Sequence, residues 1–88
     1  MRNVSTTNKF EKDLARLKKR GKNFDRLEAI VEKLRLGKAL EHKHRPHMLS
    51  GDWDGFWELH IEPDWLLIYE ISVESLYLVR TGTHSDLF

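Results

Sequence analysis

The chain has 88 residues, of which 40% are hydrophobic and 33% are charged, and its formal net charge is only +1. A chain of this length and composition forms one small folded domain, so we expect a single domain over residues 1–88. The absence of cysteine excludes disulfides and cysteine-based zinc sites. The longest apolar run, WLLIY, is far too short to span a bilayer, and no signal-peptide pattern is present. We therefore expect a soluble cytoplasmic protein.

The charges are distributed unevenly along the chain. Residues 1–45 carry 14 of the 15 Lys and Arg against 6 Asp and Glu, a net charge of +8, whereas residues 46–88 carry one arginine against 8 acids, a net charge of −7. A basic surface of this size suits a polyanion such as nucleic acid, or an acidic protein tail. The alternative is an ordinary solvated helix surface, because exposed helices are commonly rich in Lys and Arg. Charge alone leaves both interpretations open.

The first half of the chain predicts a short strand followed by two helices. The β-branched segment NVSTT is typical of a strand, and Thr6 or Thr7 can cap the helix that follows. In NKFEKDLARLKKR the apolar residues recur at i, i+4 and i+7, and Gly21 ends this helix. A second amphipathic helix in NFDRLEAIVEKLRLG ends at Gly37. Two such helices predict an antiparallel hairpin that packs on an apolar surface.

The second half predicts three strands that supply this surface. GFWELHIE alternates between apolar and polar residues, WLLIYEI is nearly continuously apolar, and SLYLVRT follows a tight SVES connection. We therefore expect an α+β fold in which the two-helix hairpin packs on an antiparallel sheet, in the order β-α-α-β-β-β with a short C-terminal tail. The nineteen-residue connection at 37–55 is unusually long for a small domain and is a candidate functional loop.

The five histidines are the first candidates for chemistry. Imidazole has an unperturbed pKa near ~6.5, so one histidine can accept a proton while another donates one at neutral pH. Cleavage of RNA without a metal needs such a pair and a fixed cation that stabilises charge on the phosphoryl oxygens. His47 and His60 are the better candidates, and His84 lies in the tail, whereas His42 and His44 look solvated. A zinc site built from His42, His44 and His47 is an alternative, although neither cysteine nor a carboxylate pattern supports it.

Arg80 and two aromatic residues each allow two interpretations. Arg80 is the only cation in residues 46–88 and can bind a phosphate bidentately. Strict alternation places it in phase with Leu76 and Leu78, towards the helices, where it would be a buried structural residue unless the strand ends or bulges before RTG. Trp65 is a core or rim residue, or stacks on a base if it lies on an open sheet face. Phe88 could simply close the edge of the core.

Two segments, HMLSGDWDGFWELHIEPDWLLIYEI and LVRTGTHSDLF, resemble the YafQ-like branch of the RelE/ParE superfamily of toxins from bacterial type II toxin–antitoxin pairs. The similarity is closest over residues 47–88, whereas the helical half agrees only in layout and charge. The resemblance implies a RelE-like fold, cleavage of mRNA within the ribosomal A site, and neutralisation by a partner antitoxin. Position by position, the functional residues of the family correspond to His47, His60, Asp64, Trp65, Arg80, His84 and Phe88.

The resemblance also implies catalytic roles in an endoribonuclease. We expect His47 to act as general base and His84 as general acid while the 2′-hydroxyl attacks the adjacent phosphorus. His60 and Asp64 would orient the substrate or neighbouring groups. Arg80 would stabilise the charge of the phosphorane.

The remaining expected contacts are with RNA and protein. Trp65 and Phe88 would hold the bases, and the basic residues Lys18, Lys19 and Arg20 would bind ribosomal RNA electrostatically. The expected partners are the ribosome with its mRNA and an antitoxin whose acidic, amphipathic segment folds onto this surface. No metal, small-molecule cofactor or membrane is expected to take part. The alternatives are a ParE-like toxin that inhibits a topoisomerase by binding alone, and an inactive relative that keeps only the antitoxin contact.

Overall fold

The secondary-structure elements follow the predicted order, with additions in the long connection and in the tail. The structure is a computed structural model and describes all 88 residues. Its elements are β1 (Asn3–Thr6), α1 (Asn8–Lys19), α2 (Asp25–Leu36), β2 (His47–Met48), β3 (Trp57–Glu62), β4 (Trp65–Ile71), β5 (Ser75–Gly82) and α3 (His84–Leu87), with 3₁₀ turns at His42–His44 and Gly51–Trp53. The connection at 37–55 therefore contributes an edge strand, and the tail forms a short helix. None of the helices has the length and apolar character that spanning a membrane requires.

The five strands form one mixed sheet in the order β1-β5-β4-β3-β2. β3, β4 and β5 form the predicted antiparallel meander, and β2 pairs antiparallel with β3. β1 pairs in parallel with β5, with Val4 opposite Leu76, so the sheet is not antiparallel throughout. The parallel pair is compatible with the two helices that follow β1, because parallel strands need a long crossover connection.

The start of α1 is fixed against the edge of β5. The hydroxyl of Thr7 accepts a hydrogen bond from the backbone N–H of Phe10 at 2.9 Å, which confirms the predicted cap. The same hydroxyl donates to the carbonyl of Val79 at 2.7 Å, just beyond the end of the β1 pairing. α1 therefore begins directly beside the part of β5 that carries Arg80.

The hydrophobic core lies between the two helices and one face of the sheet. Twelve buried residues form it: Phe10, Leu17, Leu27, Ile30, Leu34, Leu59, Ile61, Trp65, Leu67, Tyr69, Leu76 and Leu78. Burial raises the pKa of Tyr69 to about 12. α2 stops where Gly37 adopts a left-handed conformation with φ +71°, which a glycine adopts without steric cost.

A bulge in β5 decides which way Arg80 faces. Tyr69 pairs with Leu78, but its neighbour Ile68 pairs with Arg80, so Val79 is an extra residue in the ladder. Residues directly opposite each other share a face, and Ile68 lies on the face opposite to the core. Arg80 is therefore turned away from the core side, as the alternative with a bulge allows, and strict alternation gives the wrong face.

Candidate functional site

A row of paired residues runs across the face of the sheet that α1 and α2 do not cover. His47 pairs with Glu58, Glu58 with Ile68, and Ile68 with Arg80, and the next row carries His60. We call the side that bears these residues the helix-free face. It is not open throughout, because Ile68 is fully buried. The register alone thus places three of the expected site residues on one face.

One oxygen atom bonds the ring of His47 at the sheet edge, and a second lies near it. Its Nδ1 lies 3.0 Å from the carbonyl oxygen of Arg45, and its Nε2 lies 3.5 Å from Oε1 of Glu58. Glu58 is buried, with 7% of its surface exposed. The ring of His47 therefore lies between a backbone carbonyl and a buried carboxylate.

Asp64 fixes the ring of His84. One oxygen, Oδ1, lies 2.6 Å from Nδ1 of His84 and accepts a hydrogen bond from the His84 backbone N–H at 3.0 Å. Both hydrogen bonds from His84 hold the pKa of Asp64 below its usual value, and the bond from the backbone N–H has the larger effect. The ring of His84 lies 5.9 Å from that of His60, measured between centroids. Asp64 contacts Nδ1, and the Nε2 atom of His84 has no hydrogen-bond partner in the protein.

Arg80 is held by a carboxylate from α1. Its Nε and Nη2 atoms donate to the two oxygens of Asp13 at 2.7 and 3.1 Å, and this bidentate pairing raises the pKa of Arg80. Asp13 also accepts from Arg16 Nη2 at 2.9 Å and from the backbone N–H of Thr81 at 3.1 Å. The Arg80 side chain is 19% exposed. The pairing fixes the guanidinium and leaves Nη1 without a protein partner.

Arg20, the residue directly after α1, anchors the tail that carries His84. Nη1 and Nη2 of Arg20 donate to the carboxylate of Asp86 at 2.8 and 3.1 Å. Asp86 and Thr83 also bond each other reciprocally at the start of α3. A Cβ at Gly82, where φ is +155°, would lie 2.9 Å from Oδ2 of Asp86, so this approach requires glycine. Arg20 was expected to bind RNA, but in the structure it is engaged in holding the tail.

The Asp86 contact predicts a pH-dependent stability of the tail. The Arg20 bond, aided by Thr83, keeps the pKa of Asp86 far below its ordinary 3.8. The stabilisation that the Asp86 carboxylate gives to the folded protein is therefore fully present above its ordinary pKa of 3.8. It is lost as the pH falls towards the lowered pKa of the folded state. We expect Asp86→Asn to lower the free energy of unfolding by about 1 kcal/mol at pH 7, a value discounted for solvent screening.

Urea unfolding of the wild type and Asp86→Asn at pH 7 and pH 3 checks this expectation. The deficit of the variant should shrink at the lower pH, because the wild type then loses part of the same interaction. Asp52→Asn is the matched control, since Asp52 is exposed and forms no ion pair. A deficit of equal size at both values would contradict the role of the charge.

Trp65 does not lie where a base could stack on it, so its expected role in base binding is wrong. The residue is fully buried in the core. Its Nε1 donates to Oγ1 of Thr81 at 2.9 Å, and that hydroxyl donates to the carbonyl of Leu66 at 2.7 Å. Phe24 packs against the ring at 6.2 Å between centroids. Trp65 is a structural residue that fixes the end of β5 beneath Arg80.

Replacing Trp65 with phenylalanine tests this structural role. We expect Trp65→Phe to lower the free energy of unfolding by about 2 kcal/mol, because a buried hydrogen bond and part of the ring volume are lost. Trp57→Phe is the control, since Trp57 is only partly buried and its indole nitrogen makes no hydrogen bond. Denaturant titration should show a clearly smaller loss for the control. Equal losses would mean that the bond to Thr81 contributes nothing.

Phe88 belongs to an exposed aromatic group instead of the core. It is 60% exposed, and its ring lies 6.3 Å from that of Trp53, which in turn lies 5.6 Å from that of Phe56. The alternative that Phe88 closes the core edge is therefore wrong. Exposed aromatic faces of this kind can stack on unpaired bases.

The histidines of the long connection do not converge on one point. His44 is buried, not solvated as expected, and its Nδ1 lies 2.7 Å from the carbonyl oxygen of His60. His42 is exposed, as expected. No group of three or more His, Asp or Glu side chains is arranged to hold a metal ion. The zinc alternative from His42, His44 and His47 thus has no geometric basis.

The two other basic residues expected to bind ribosomal RNA are free at the surface. Lys18 and Lys19 are exposed at the end of α1 and form no ion pair, so they differ from Arg20.

Sequence reasoning missed Asp13 and Glu58. The local pair of Asp13 with Arg16 looked like an ordinary helix-surface pair, and the contact that makes Asp13 part of the site comes from Arg80, 67 residues away.

The fold and the helix-free face define a small α+β protein of the RelE type. The chain belongs to the YafQ family of bacterial toxins of type II toxin–antitoxin systems, whose family model matches residues 2–88. It is 34% identical to the mRNA interferase toxin YafQ of Escherichia coli K12 over 88 residues, which cover 99% of this chain and 96% of that protein. This assignment confirms the expected family and fold.

Solved structures agree with this assignment. The toxin chain in the E. coli DinJ-YafQ toxin–antitoxin complex is 34% identical and superposes with a TM-score of 0.91, over 99% of this chain and 97% of that one. A metal-bound toxin from Helicobacter pylori is 40% identical with a TM-score of 0.92, and the match covers all of both chains. The similarity therefore includes the whole fold.

Proposed function

We propose that this chain is a ribosome-dependent endoribonuclease that cleaves mRNA in the A site and is neutralised by a cognate antitoxin. The E. coli relative is named an mRNA interferase, and a relative from the same organism forms a complex with the antitoxin DinJ. The single observation that carries the proposal is the Asp64–His84 contact of 2.6 Å on the side of the sheet that also bears His60 and Arg80.

The reaction needs two proton transfers. His47 takes the proton of the 2′-hydroxyl at Nε2 while the resulting oxygen attacks the adjacent phosphorus. The bond between phosphorus and the 5′-oxygen breaks, and the leaving oxygen takes a proton from Nε2 of His84. The products are a 2′,3′-cyclic phosphate, which water can open to a 3′-phosphate, and a 5′-hydroxyl. Glu58 and Asp64 stabilise the charged forms of the two rings.

Arg80 supplies the fixed cation for this reaction. Its unpartnered Nη1 can donate to a phosphoryl oxygen while Asp13 holds the other side of the guanidinium. Because Asp13 is itself bonded to Arg16, the three groups together keep a net positive charge at the site. His60, next to His84, orients the substrate in this scheme.

Binding of the RNA uses groups at the margin of the site. The exposed ring of Phe88 and the unburied part of Trp53 offer aromatic surface for bases, a role that replaces the one expected of Trp65. Lys18 and Lys19 extend from α1 as free cations that attract ribosomal RNA. The antitoxin in this proposal presents an acidic, amphipathic segment to the same basic surface.

Mapping transcript ends tests the function. Expression of the chain in a bacterium without its antitoxin should produce discrete breaks within the codons of translated messages, detected by primer extension. A transcript without a start codon should remain intact, because cleavage requires the ribosome. Intact messages in growth-arrested cells would instead favour a toxin of the ParE type, and breaks in untranslated RNA would remove the ribosome from the proposal.

A further inference from the structure

A positively charged pocket lies beside His60. Its volume is ≈ 320 Å³, and its walls come from α2, from the segment around the first 3₁₀ turn, and from the end of β3 with the turn after it. Three cationic side chains, Arg26, Lys43 and Arg45, line it against the single carboxylate of Glu62. The pocket shares His60 with the candidate catalytic group, so a ligand in it would lie beside the ring of His60.

Arg45 is the cation of this pocket that has no carboxylate partner. Lys43 Nζ lies 3.2 Å from Glu41, and Arg26 Nη1 lies 3.6 Å from one oxygen of Glu62. The other oxygen of Glu62 binds a lysine of the α1–α2 connection at 2.7 Å. The exposed guanidinium of Arg45 forms no ion pair. Its donors are therefore available to an anion from outside the protein.

The backbone holds Arg45 in an unfavourable conformation two residues before His47. Its φ of 47° and ψ of 56° are left-handed, and it is the only residue other than glycine with a positive φ. Pro46 follows it, which restricts the preceding residue further. The turn is tied down on one side by the 2.7 Å contact of His44 with the His60 carbonyl, and on the other by the 3.0 Å contact of His47 with the Arg45 carbonyl. Such strain persists only where surrounding contacts fix it.

We infer that this pocket is a second phosphate subsite, in which Arg45 binds a backbone phosphodiester of the RNA next to the scissile one. The inference rests on the proposed function. A phosphodiester fits the chemistry, because it carries one negative charge and two acceptor oxygens that a guanidinium can bind together. Lys43 and Arg26 add positive potential but are partly neutralised by Glu41 and Glu62. The subsite positions the RNA chain and takes no part in proton transfer.

Single-turnover cleavage of mRNA on stalled ribosomes tests the inference. For Arg45→Gln, we expect the toxin concentration at half-maximal rate to rise about 3–10-fold, while the maximal rate stays within about twofold. Arg45→Lys should recover part of the affinity. Arg45→Gly relieves the backbone strain, so its affinity should fall as in Arg45→Gln although its stability rises. This split separates a contact with RNA from a structural role.

A set of messages identifies the contacted position. Each message carries one uncharged methylphosphonate, at a different phosphate flanking the cleavage site. At that position, on either the 5′ or the 3′ side, the wild type should lose affinity while Arg45→Gln loses no more. Lys12→Gln is the control for charge, since Lys12 is exposed on α1 and forms no ion pair. Unchanged affinity of Arg45→Gln, or additive losses at every position, would overturn the subsite alone. Absence of cleavage by the wild type would remove the proposed function and the subsite with it.

Discussion

Replacing His84 with alanine is expected to slow cleavage of ribosome-bound mRNA by about 10²–10⁴-fold, because in the proposed mechanism this ring gives its proton to the leaving 5′-oxygen. The fold should remain intact, since the His84 side chain is 55% exposed. Primer extension on stalled ribosomes measures the rate, and denaturant unfolding checks the stability. The loss should appear in the maximal rate more than in the affinity, because the ring acts in the transition state.

His42→Ala is the matched control for this variant. His42 is exposed at the surface, like His84, and its side chain makes no hydrogen bond or ion pair. It should cleave at the rate of the wild type. Asp64→Asn should fall between the two, because the amide can still contact the ring but no longer stabilises its charged form. Full activity of His84→Ala would remove His84 from the mechanism.

Replacing Asp13 with alanine is expected to lower the free energy of unfolding by about 3–5 kcal/mol. Asp13 is 2% exposed and is the common acceptor of Arg80, Arg16 and the Thr81 backbone N–H. Without its carboxylate, two guanidinium groups and one backbone N–H lose their acceptor in a region that water hardly reaches. Urea unfolding measures the loss. Asp25→Ala is the control, because Asp25 is exposed and pairs with no cation.

The same substitution should also affect the chemistry through Arg80. A guanidinium released from Asp13 no longer presents Nη1 in a fixed direction, so the maximal cleavage rate should fall on the order of 10²-fold in the folded fraction. A double-mutant cycle separates this effect from instability. Asp13→Ala should cost little further activity when Arg80 is already alanine. Additive losses would show that Asp13 acts independently of Arg80.

The helices and the meander were predictable from local pattern. The cap at Thr7 and the stop at Gly37 each depend on residues within one turn of the helix end, where local chemistry decides. The parallel pairing of β1 was not predictable in the same way. It depends on where the chain returns after two helices, which no short window of sequence contains.

The direction of individual side chains was harder to predict. Trp65 begins a nearly continuous apolar run, so alternation could not show that it faces the core, and its partner Thr81 lies sixteen residues away. The bulge at Val79 reverses the face of Arg80, yet no glycine or proline marks it. His44 is buried, and its Nδ1 donates a hydrogen bond to the backbone carbonyl of His60 in β3. The polar segment EHKHRPH gave no sign of this contact. Long-range contacts decided each of these cases.

Asp13 of α1 and Arg20 at its C-terminal end hold Arg80 and the α3 segment, across separations of 67 and 66 residues. During translation, these partners cannot meet until residue 86 has left the ribosome that makes it. A nascent chain would therefore lack both the fixed guanidinium and the anchored imidazole. The placement of these two side chains therefore depends on folding of the whole stretch from residue 13 to residue 86, and no shorter part of it suffices.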